Sequence, residues 1–248
     1  MNYEEILDAL ETGSMRAASP SKDEWVVNIE VKQAILQSFK EGVNISYEGV
    51  YEGFVDKHNL PPRYFNLEDQ VRLVPGGSSV RRGAYLAPSV IIMPPAYINV
   101  GAYVGEGSMV DSHALVGSCA QVGKGVHLSA AVQLGGVLEP IGMKPVIIED
   151  DCFIGAGVSI VEGIMVQKRA IIAPGVILSK SIPVYDAVKE EIRPRGAAIP
   201  EGAVVIPGSR PMKGDWASSQ GLSMQCPIIV KYRDSSTDAS TELEQVLR

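Results

Sequence analysis

The chain has 248 residues, of which 46% are hydrophobic and 6% aromatic, and its formal net charge is −7. This length suits one large domain or two modest ones. The negative charge argues against general binding to nucleic acid or to an anionic membrane. No apolar run reaches the roughly 18 residues of a membrane span, and the first ten residues are acidic, so neither a span nor a signal peptide is predicted. We expect a cytoplasmic protein with reduced cysteines; Cys152 is assigned to the core, and Cys119 is the cysteine to test for reactivity.

Residues 1–75 are predicted to form a small helical domain. Tyr3 to Leu10 has the pattern of a short helix. Ser21 and Glu24 match a capping box, so a second helix is expected from about Asp23 to Lys40.

Residues 76–182 carry an aliphatic residue at every sixth position. The series is Val80, Leu86, Ile92, Ile98, Val104, Val110, Val116, Val122, Leu128 and Leu134, then Ile148, Ile154, Ile160, Val166, Ile172 and Leu178. A second series, of smaller apolar or neutral residues, lies four residues after each of these positions. Six is a multiple of the strand period of two, but the alternation resets once per repeat, which indicates a corner. Short strands joined by corners predict a parallel β-helix of hexapeptide repeats with about five coils.

The series breaks between Leu134 and Ile148, a gap of two repeats plus two residues. Because insertions in a solenoid form loops on one side, Gly135 to Pro145 is predicted to bulge outward. This loop is a candidate lid over a reacting group.

Residues 183–248 are predicted to leave the coil as a hairpin and extension. The expected elements are a hairpin at Ile182–Ile192, a partial turn with Ile199 and Val205, a strand at Ile228–Val230, a polar segment at Asp234–Ser240 and a closing helix at Thr241–Arg248.

Hexapeptide prisms occur in acyltransferases and in a class of zinc hydratases that needs three closely spaced histidines. The histidines here are His58, His113 and His127, and the two inside the prism are fourteen residues apart. We therefore expect no metal site.

Several blocks of the prism are more specific than the repeat itself. They are Met109-Val110-Asp111, Val116 to Lys124, Val126 to Ser129, Gly135 to Pro140 and Ile147 to Ala156. Over residues 25–248 the chain resembles the tetrahydrodipicolinate N-succinyltransferase family. The resemblance implies a left-handed β-helix and a homotrimer with active sites between subunits. It also implies transfer of a succinyl group from succinyl-CoA to the amine of tetrahydrodipicolinate, in lysine and diaminopimelate biosynthesis.

The resemblance also implies site residues. Arg72, Asp111 and Glu139 would contact the acceptor, with Arg72 as a forked partner for a ring carboxylate. Asp111 or the neighbouring His113 would handle the proton, since histidine titrates near neutrality. Each of these residues also has an alternative without a role in the reaction. Arg72 could be a solvated arginine, Asp111 a solvated turn residue and His113 a surface histidine.

Coenzyme A is expected to lie along the prism. Backbone groups of Gly136, Gly155, Ala156 and Ala173 would meet the pantetheine, and Lys168, Arg169 and Lys180 would hold the phosphates. These three cations could equally form a solvated basic face.

The chain departs from the family pattern within the prism. The family has Ala-Arg-Ser-Glu where this chain has Ala156 to Ser159, so the Arg and the Glu, a proposed catalytic acid/base, are absent. Family glycines are replaced by Ala130, Ala131 and Gln133, and a family Trp by His113. One interpretation is a succinyltransferase that uses Asp111 or His113 for the proton. The others are a paralogue using acetyl-CoA on the same acceptor or an analogue, as in tabtoxin biosynthesis, and a non-catalytic trimeric scaffold.

Overall fold

The computed structural model describes residues 1–22 and 24–234 of the chain. The predicted closing helix from Thr241 to Arg248, and the polar segment after Asp234, lie outside these residues. Across the described residues, none of the helices is long and apolar enough to cross a membrane.

The chain forms the predicted left-handed parallel β-helix, a prism whose three faces are built from two-residue strands. We name the faces A, B and C in chain order. Face A contains Arg72–Leu73, Ile91–Ile92, Met109–Val110, His127–Leu128, Phe153–Ile154 and Ile171–Ile172. Face B contains Ser79–Val80, Tyr97–Ile98, Leu115–Val116, Gln133–Leu134, Ser159–Ile160 and Ile177–Leu178. Face C contains Tyr85–Leu86, Tyr103–Val104, Gln121–Val122, Ile147–Ile148 and Met165–Val166.

Each coil is 18 residues long, because Met109 pairs with His127 and Tyr103 pairs with Gln121. Across the interruption, Gln121 pairs with Ile147, 26 residues later. The chain therefore passes directly from face B to face C, and the loop adds eight residues to a single corner.

The second residue of every prism strand points inward, as the period of six predicts. Ile92, Ile98 and Val104 are fully buried, and so are the members of the series four positions later, such as Val90 and Ala102. The interior takes only aliphatic and small side chains because each coil contributes six inward positions to a narrow core. Burial of each Val, Ile or Leu stabilises the prism by about 1.5–3 kcal/mol.

The N-terminal domain contains helix α1 (Tyr3–Glu11), strands β1 (Ala18–Ser21) and β2 (Glu24–Val27), and helix α2 (Ile29–Glu41). Helix α1 is as predicted, and a capping box between Asn2 and Glu5 closes its first turn. The predicted start of the second helix is wrong. Asn28 caps α2 by accepting from the Val31 N–H, and Trp25 lies in the β1–β2 hairpin. The β-branched pair Val26-Val27 favours a strand, so the Ser21–Glu24 pattern is not used as a cap.

This domain packs on face C and on the edge that joins faces B and C. Its core includes Leu7 and Ile35 together with Val100 and Cys119 from the prism corners. The remaining elements before the prism are a hairpin of Asn44–Ser46 with Val55–Lys57 and two 3₁₀ turns, Gly49–Tyr51 and Leu67–Asp69. The strand Arg72–Leu73 already pairs with Ile91–Ile92, so the prism begins slightly before the expected boundary at residue 76.

The C-terminal part extends face A. Tyr185–Asp186 and Glu191–Ile192 form the predicted hairpin. The predicted partial turn is present, since Ile199 bridges Val166 on face C and Val205 pairs with Ile172 on face A. The long strands Ala203–Pro211 and Ser223–Tyr232 pair antiparallel around a short helix, Asp215–Ser219.

Candidate active site

The edge between faces A and B brings together the predicted catalytic residues and part of the predicted coenzyme site. Successive four-residue corners stack on this A–B edge through backbone bonds. Ala131 N donates to Ser112 O at 2.8 Å, Gly157 N to Ala130 O at 2.9 Å, and Gly175 N to Ala156 O at 3.0 Å. The predicted residues in this stack are Asp111, His113, Gly155, Ala156 and Ala173. One continuous edge therefore carries both the proposed proton-handling pair and the proposed pantetheine contacts.

Asp111 and His113 occupy the same corner. Asp111 is half-buried, and its Oδ1 accepts a hydrogen bond from the Ser112 N–H at 2.7 Å. His113 is exposed, its φ is +62°, and its N–H donates to the carbonyl of Pro95. A left-handed backbone is uncommon for a residue with a side chain, although histidine tolerates it better than most. Other corners of this edge have the same left-handed conformation at the equivalent position, with a side chain at Ala131 and glycine at Gly157 and Gly175.

Two side chains on face B adjoin this corner. Gln133 Nε2 donates to the carbonyl of His113 at 3.1 Å and to that of Ala131 at 3.3 Å. Ser159, which stands where the family has its Glu, pairs with Gln133 in the sheet and is half-buried. The departures from the family pattern are therefore neighbours in space.

The A–B edge also offers unoccupied backbone donors. The N–H groups of Ala130 and Ala156 have no acceptor within residues 1–22 and 24–234. At some corners on the other edges a carboxylate caps the equivalent N–H, as Asp150 does for Lys124 and Glu149 for Lys168, whereas the equivalent N–H groups of Glu106 and Ser118 have no acceptor among the described residues. An exposed N–H on a rigid corner can bind a carbonyl oxygen or a developing oxyanion.

The other predicted site residues lie elsewhere on the same chain. Arg72 is exposed on face A, two coils from the Met109–Val110 strand, or roughly 10 Å along the axis. Lys168 and Arg169 are exposed at the C–A edge. The remaining residues, Gly136, Glu139 and Lys180, lie at the B–C edge. A single chain thus spreads the predicted residues over all three edges.

The Gly135–Pro145 loop is held against the N-terminal domain at the B–C edge. The fully buried Lys32 of α2 donates from Nζ to the Met143 carbonyl at 2.6 Å. The Val137 N–H donates to Ser118 O at 3.1 Å. A side chain at Gly117 would strike the backbone of Gly135 and Gly136, so the loop follows the prism surface closely there. The predicted lid is an anchored loop in this structure, and its role in the reaction stays a prediction.

Cys119 does not fit the role of a reactive thiol. It is fully buried against the N-terminal domain, and burial raises its pKa to about 12. Burial also raises the pKa of Cys152 to about 12, in agreement with its assignment to the core. Reactive cysteines are partly exposed with a lowered pKa, so the choice of Cys119 as the cysteine to test for reactivity was wrong.

In the described residues, no group of three His, Cys, Asp or Glu side chains is placed to hold a metal ion. The three histidines lie apart, in the N-terminal hairpin region, at the A–B edge and on face A. The arrangement of three close histidines that the zinc hydratases need is not formed.

A second cluster, at the C–A edge, was not predicted from the sequence. Arg16, Trp25, Gln121 and Glu149 meet there through side-chain hydrogen bonds. The partners in each hydrogen bond are more than 100 residues apart, so the sequence does not indicate that they are in contact. In addition, Trp25 was predicted to lie on a helix. The usable signal was Gln121, a polar residue in an outward position on a face that is otherwise apolar or aromatic.

Comparisons with known proteins agree with this architecture. Residues 3–40 match a family model described as tetrahydrodipicolinate N-succinyltransferase N-terminal, and residues 145–180 match one described as hexapeptide repeat of succinyl-transferase. The chain is 45% identical to a 2,3,4,5-tetrahydropyridine-2,6-dicarboxylate N-succinyltransferase of Nitrosococcus oceani, covering 99% of this chain and 88% of that protein. It is also 45% identical to the enzyme of that name from Coxiella burnetii, over 98% of this chain and 88% of that one.

A crystal structure from Campylobacter jejuni, of a protein assigned as a 2,3,4,5-tetrahydropyridine-2-carboxylate N-succinyltransferase, has the same fold. Its TM-score is 0.55 at 20% identity, and the match covers 92% of this chain but 63% of the longer Campylobacter chain.

The prism of hexapeptide repeats, together with the match to the hexapeptide repeat of succinyl-transferase, places the chain among the hexapeptide-repeat acyltransferases. At this identity over almost the full length, the chain belongs to the tetrahydrodipicolinate N-succinyltransferase family.

Proposed function

We propose that this enzyme transfers the succinyl group of succinyl-CoA to the amine of tetrahydrodipicolinate, in lysine and diaminopimelate biosynthesis. The observation that carries the proposal is the identity of 45% to relatives of that name over nearly the whole chain. Membership of an enzyme family weighs against the scaffold alternative. The expected cytoplasmic location remains a prediction.

The A–B edge can supply both needs of this reaction. The acceptor amine must lose a proton as it attacks the thioester carbonyl, and Asp111 and His113 are the bases on this edge. The carbonyl oxygen becomes negative in the tetrahedral intermediate, and the open N–H of Ala130 or Ala156 can donate to it. Thiolate then leaves as coenzyme A, and the carbonyl reforms as an amide.

For the acceptor, we assign Arg72, Asp111 and Glu139. The fork of Arg72 suits a ring carboxylate, and its exposure leaves it free to bind one. For coenzyme A, the backbone of Gly155, Ala156 and Ala173 would follow the pantetheine along the edge. Lys168, Arg169 and Lys180, with the backbone of Gly136, would reach the same ligand only if different subunits supply them.

A homotrimer with sites between subunits accounts for part of this distribution. The groove between two prisms can combine the A–B edge of one subunit with one of the two other edges of its neighbour. The outer surface of face A supports such packing, because four outward residues of its strands are apolar and only half-buried in the single chain: Ile91, Met109, Phe153 and Ile171. His127 lies between Met109 and Phe153 in this row. Partly exposed apolar residues gathered on one surface are typical of interfaces.

The test is a donor comparison that measures coenzyme A thiol release with succinyl-CoA and with acetyl-CoA, each with and without the cyclic imine acid. We expect release that depends on the acceptor, with kcat/KM for succinyl-CoA exceeding that for acetyl-CoA. Release that is absent with both donors would refute the proposal.

One observation favours acetyl-CoA as a second candidate donor. Where the family has Arg and Glu, this chain has Gly157, with open space around the position of a Cβ, and Ser159. A succinyl carboxylate favours a nearby cation, and none replaces that Arg at this corner. The same comparison decides, since a preference for acetyl-CoA would replace succinyl transfer with acetyl transfer at the same site.

A further inference from the structure

A cleft of about 520 Å³ lies between the β1–β2 hairpin and the C–A edge of the prism. Its walls include Arg16, Lys22, Trp25, Tyr103, Lys124 and Lys168. The volume is within the range of small-molecule sites, about 300–1,000 Å³. Face A separates this cleft from the edge that carries Asp111 and His113.

Arg16 lines the cleft and is held in place by three side chains. Its guanidinium carbon lies 3.6 Å from the ring centroid of Tyr103 and 5.2 Å from that of Trp25. Its Nε donates to Gln121 Oε1 at 2.9 Å, and Gln121 is itself fully buried. These contacts hold the guanidinium plane while using only one of its five N–H donors.

The neighbouring carboxylates of Glu149 and Asp150 already accept hydrogen bonds from other groups of the chain. Glu149 accepts from Trp25 Nε1 at 2.9 Å and from the Lys168 N–H at 3.1 Å. Asp150 accepts from the Lys124 N–H at 2.9 Å. Arg16 forms no ion pair within 4 Å among residues 1–22 and 24–234. Burial lowers the pKa of its guanidinium from the ordinary value, and the charges of nearby Tyr103 and Asp150 act in the opposite direction. The guanidinium is thus partly desolvated, with Asp150 as a nearby but unpaired negative charge.

The charge of the lining also differs from that of the whole molecule. The described lining residues carry four cations, Arg16, Lys22, Lys124 and Lys168, against the carboxylates of Glu24, Glu149 and Asp150, a net charge of +1. Lys124 also lies 3.8 Å from Glu106, in an exposed ion pair that a stronger anion can replace. The chain as a whole has a net charge of −7, so a positive lining around a pre-organised guanidinium favours an anion at this place.

We propose that this cleft binds a phosphate group of a small-molecule anion, with Arg16 as the forked donor and Lys124 as a rim cation. A tetrahedral phosphate can accept two parallel N–H bonds from the fixed guanidinium, and a lysine adds a point charge. The proposal does not depend on the acyl-transfer assignment, because binding can be measured without turnover.

The test uses the full chain and inorganic pyrophosphate as the probe, titrated by calorimetry at constant ionic strength. We expect saturable binding, with Kd raised about tenfold in Arg16→Lys, which loses the fork, and about threefold in Lys124→Gln. Lys213→Gln, a change at an exposed lysine outside the cleft, should leave Kd unchanged. If circular dichroism shows that Arg16→Lys perturbs folding, the Kd of Lys124→Gln alone is compared with that of the unmodified protein. Absence of saturable binding, or equal Kd in all variants, would overturn the proposal.

A second titration identifies the source of the phosphate. If coenzyme A itself places a phosphate in the cleft, pyrophosphate and coenzyme A compete, and Arg16→Lys weakens coenzyme A binding to the same degree. If the cleft takes a separate phosphorylated metabolite, pyrophosphate binds the coenzyme A-saturated protein with unchanged Kd. Both results support a phosphate site, and they distinguish the two sources.

Discussion

At the scale of single residues, one corner of the prism carries the proposed chemistry. Asp111 is half-buried with one carboxylate oxygen already accepting from Ser112, whereas His113 is exposed on a left-handed backbone. The left-handed backbone is the ordinary geometry of this corner position, since Cys119 and Ala131 share it, so exposure and not strain distinguishes His113. The pair therefore separates into a candidate orienting group and a candidate base.

We predict that His113→Gln lowers kcat by about 100-fold, the usual contribution of a general base. Asp111→Asn should lower kcat/KM, because this half-buried carboxylate is the candidate orienting group. The measurement is steady-state thiol release with succinyl-CoA and the acceptor. As a control, Asp215→Asn changes an exposed carboxylate on the short C-terminal helix and should leave both kinetic constants intact. If His113→Gln keeps the kcat of the unmodified enzyme, the base is another group.

The cysteines give a second prediction at this scale. With the pKa of Cys119 and of Cys152 raised to about 12 by burial, almost no thiolate is present at pH 8. Cys226 is also buried. We expect none of the three thiols to react with a disulfide reagent in the native protein, and all three to react in denaturant. Fast reaction of one native thiol would contradict the buried positions.

At the scale of elements, the prism followed from the sequence because one inward position recurs every six residues, a purely local pattern. Its handedness came only from the family resemblance, since crossovers between parallel strands are normally right-handed. The predicted start of α2 was wrong because strand pairing between β1 and β2 is more favourable than a helix cap formed by Ser21 and Glu24. The Arg16 cleft was missed because its residues meet only after the domain docks on face C.

The buried aliphatic residues at the second position of each prism strand stabilise the prism. Leu128 is fully buried, so Leu128→Ala should lower the free energy of unfolding by about 2–5 kcal/mol. Leu67→Ala is a matched control, because Leu67 is 97% exposed, and it should change the value by less than about 0.5 kcal/mol. Chemical denaturation measures both. Equal effects would mean that Leu128 is not a core position.

The loop at the B–C edge depends on one buried amine. Lys32→Met keeps an apolar stem but removes the hydrogen bond to the Met143 carbonyl. We expect faster amide hydrogen exchange in residues 139–146, read by mass spectrometry. Lys40→Met, at an exposed position in the last turn of the same helix, should not change exchange in the loop. Unchanged exchange in Lys32→Met would show that other contacts hold the loop.

At the scale of the whole molecule, the predicted site residues occupy three edges and cannot all meet within one chain. The sequence could assign these residues from the family pattern, but it could not show which edge each occupies, because that depends on the register of every coil. Assembly is therefore the property on which the proposed site depends most.

We predict a particle of about 80 kDa by light scattering, three times the 26.5 kDa chain. The double variant Met109→Glu with Phe153→Glu places two charges in the apolar row of face A and should give monomers without activity. Leu67→Glu, at an exposed site outside the prism, should remain a trimer. A wild-type monomer that retains full activity would contradict a site shared between subunits.

The 18-residue coil also fixes the angular position of each residue around the axis of the prism. Removal of six residues between Asp111 and Gly155 would turn everything downstream by a third of a revolution and carry Gly155 to the C–A edge. Removal of a full coil would keep every angle and shorten the prism by about 4.8 Å. The loop that starts at Gly135 is exempt, because its two ends occupy fixed positions on faces B and C. Changes in chain length that preserve the reaction are therefore confined to this loop, to whole coils and to the two ends of the prism.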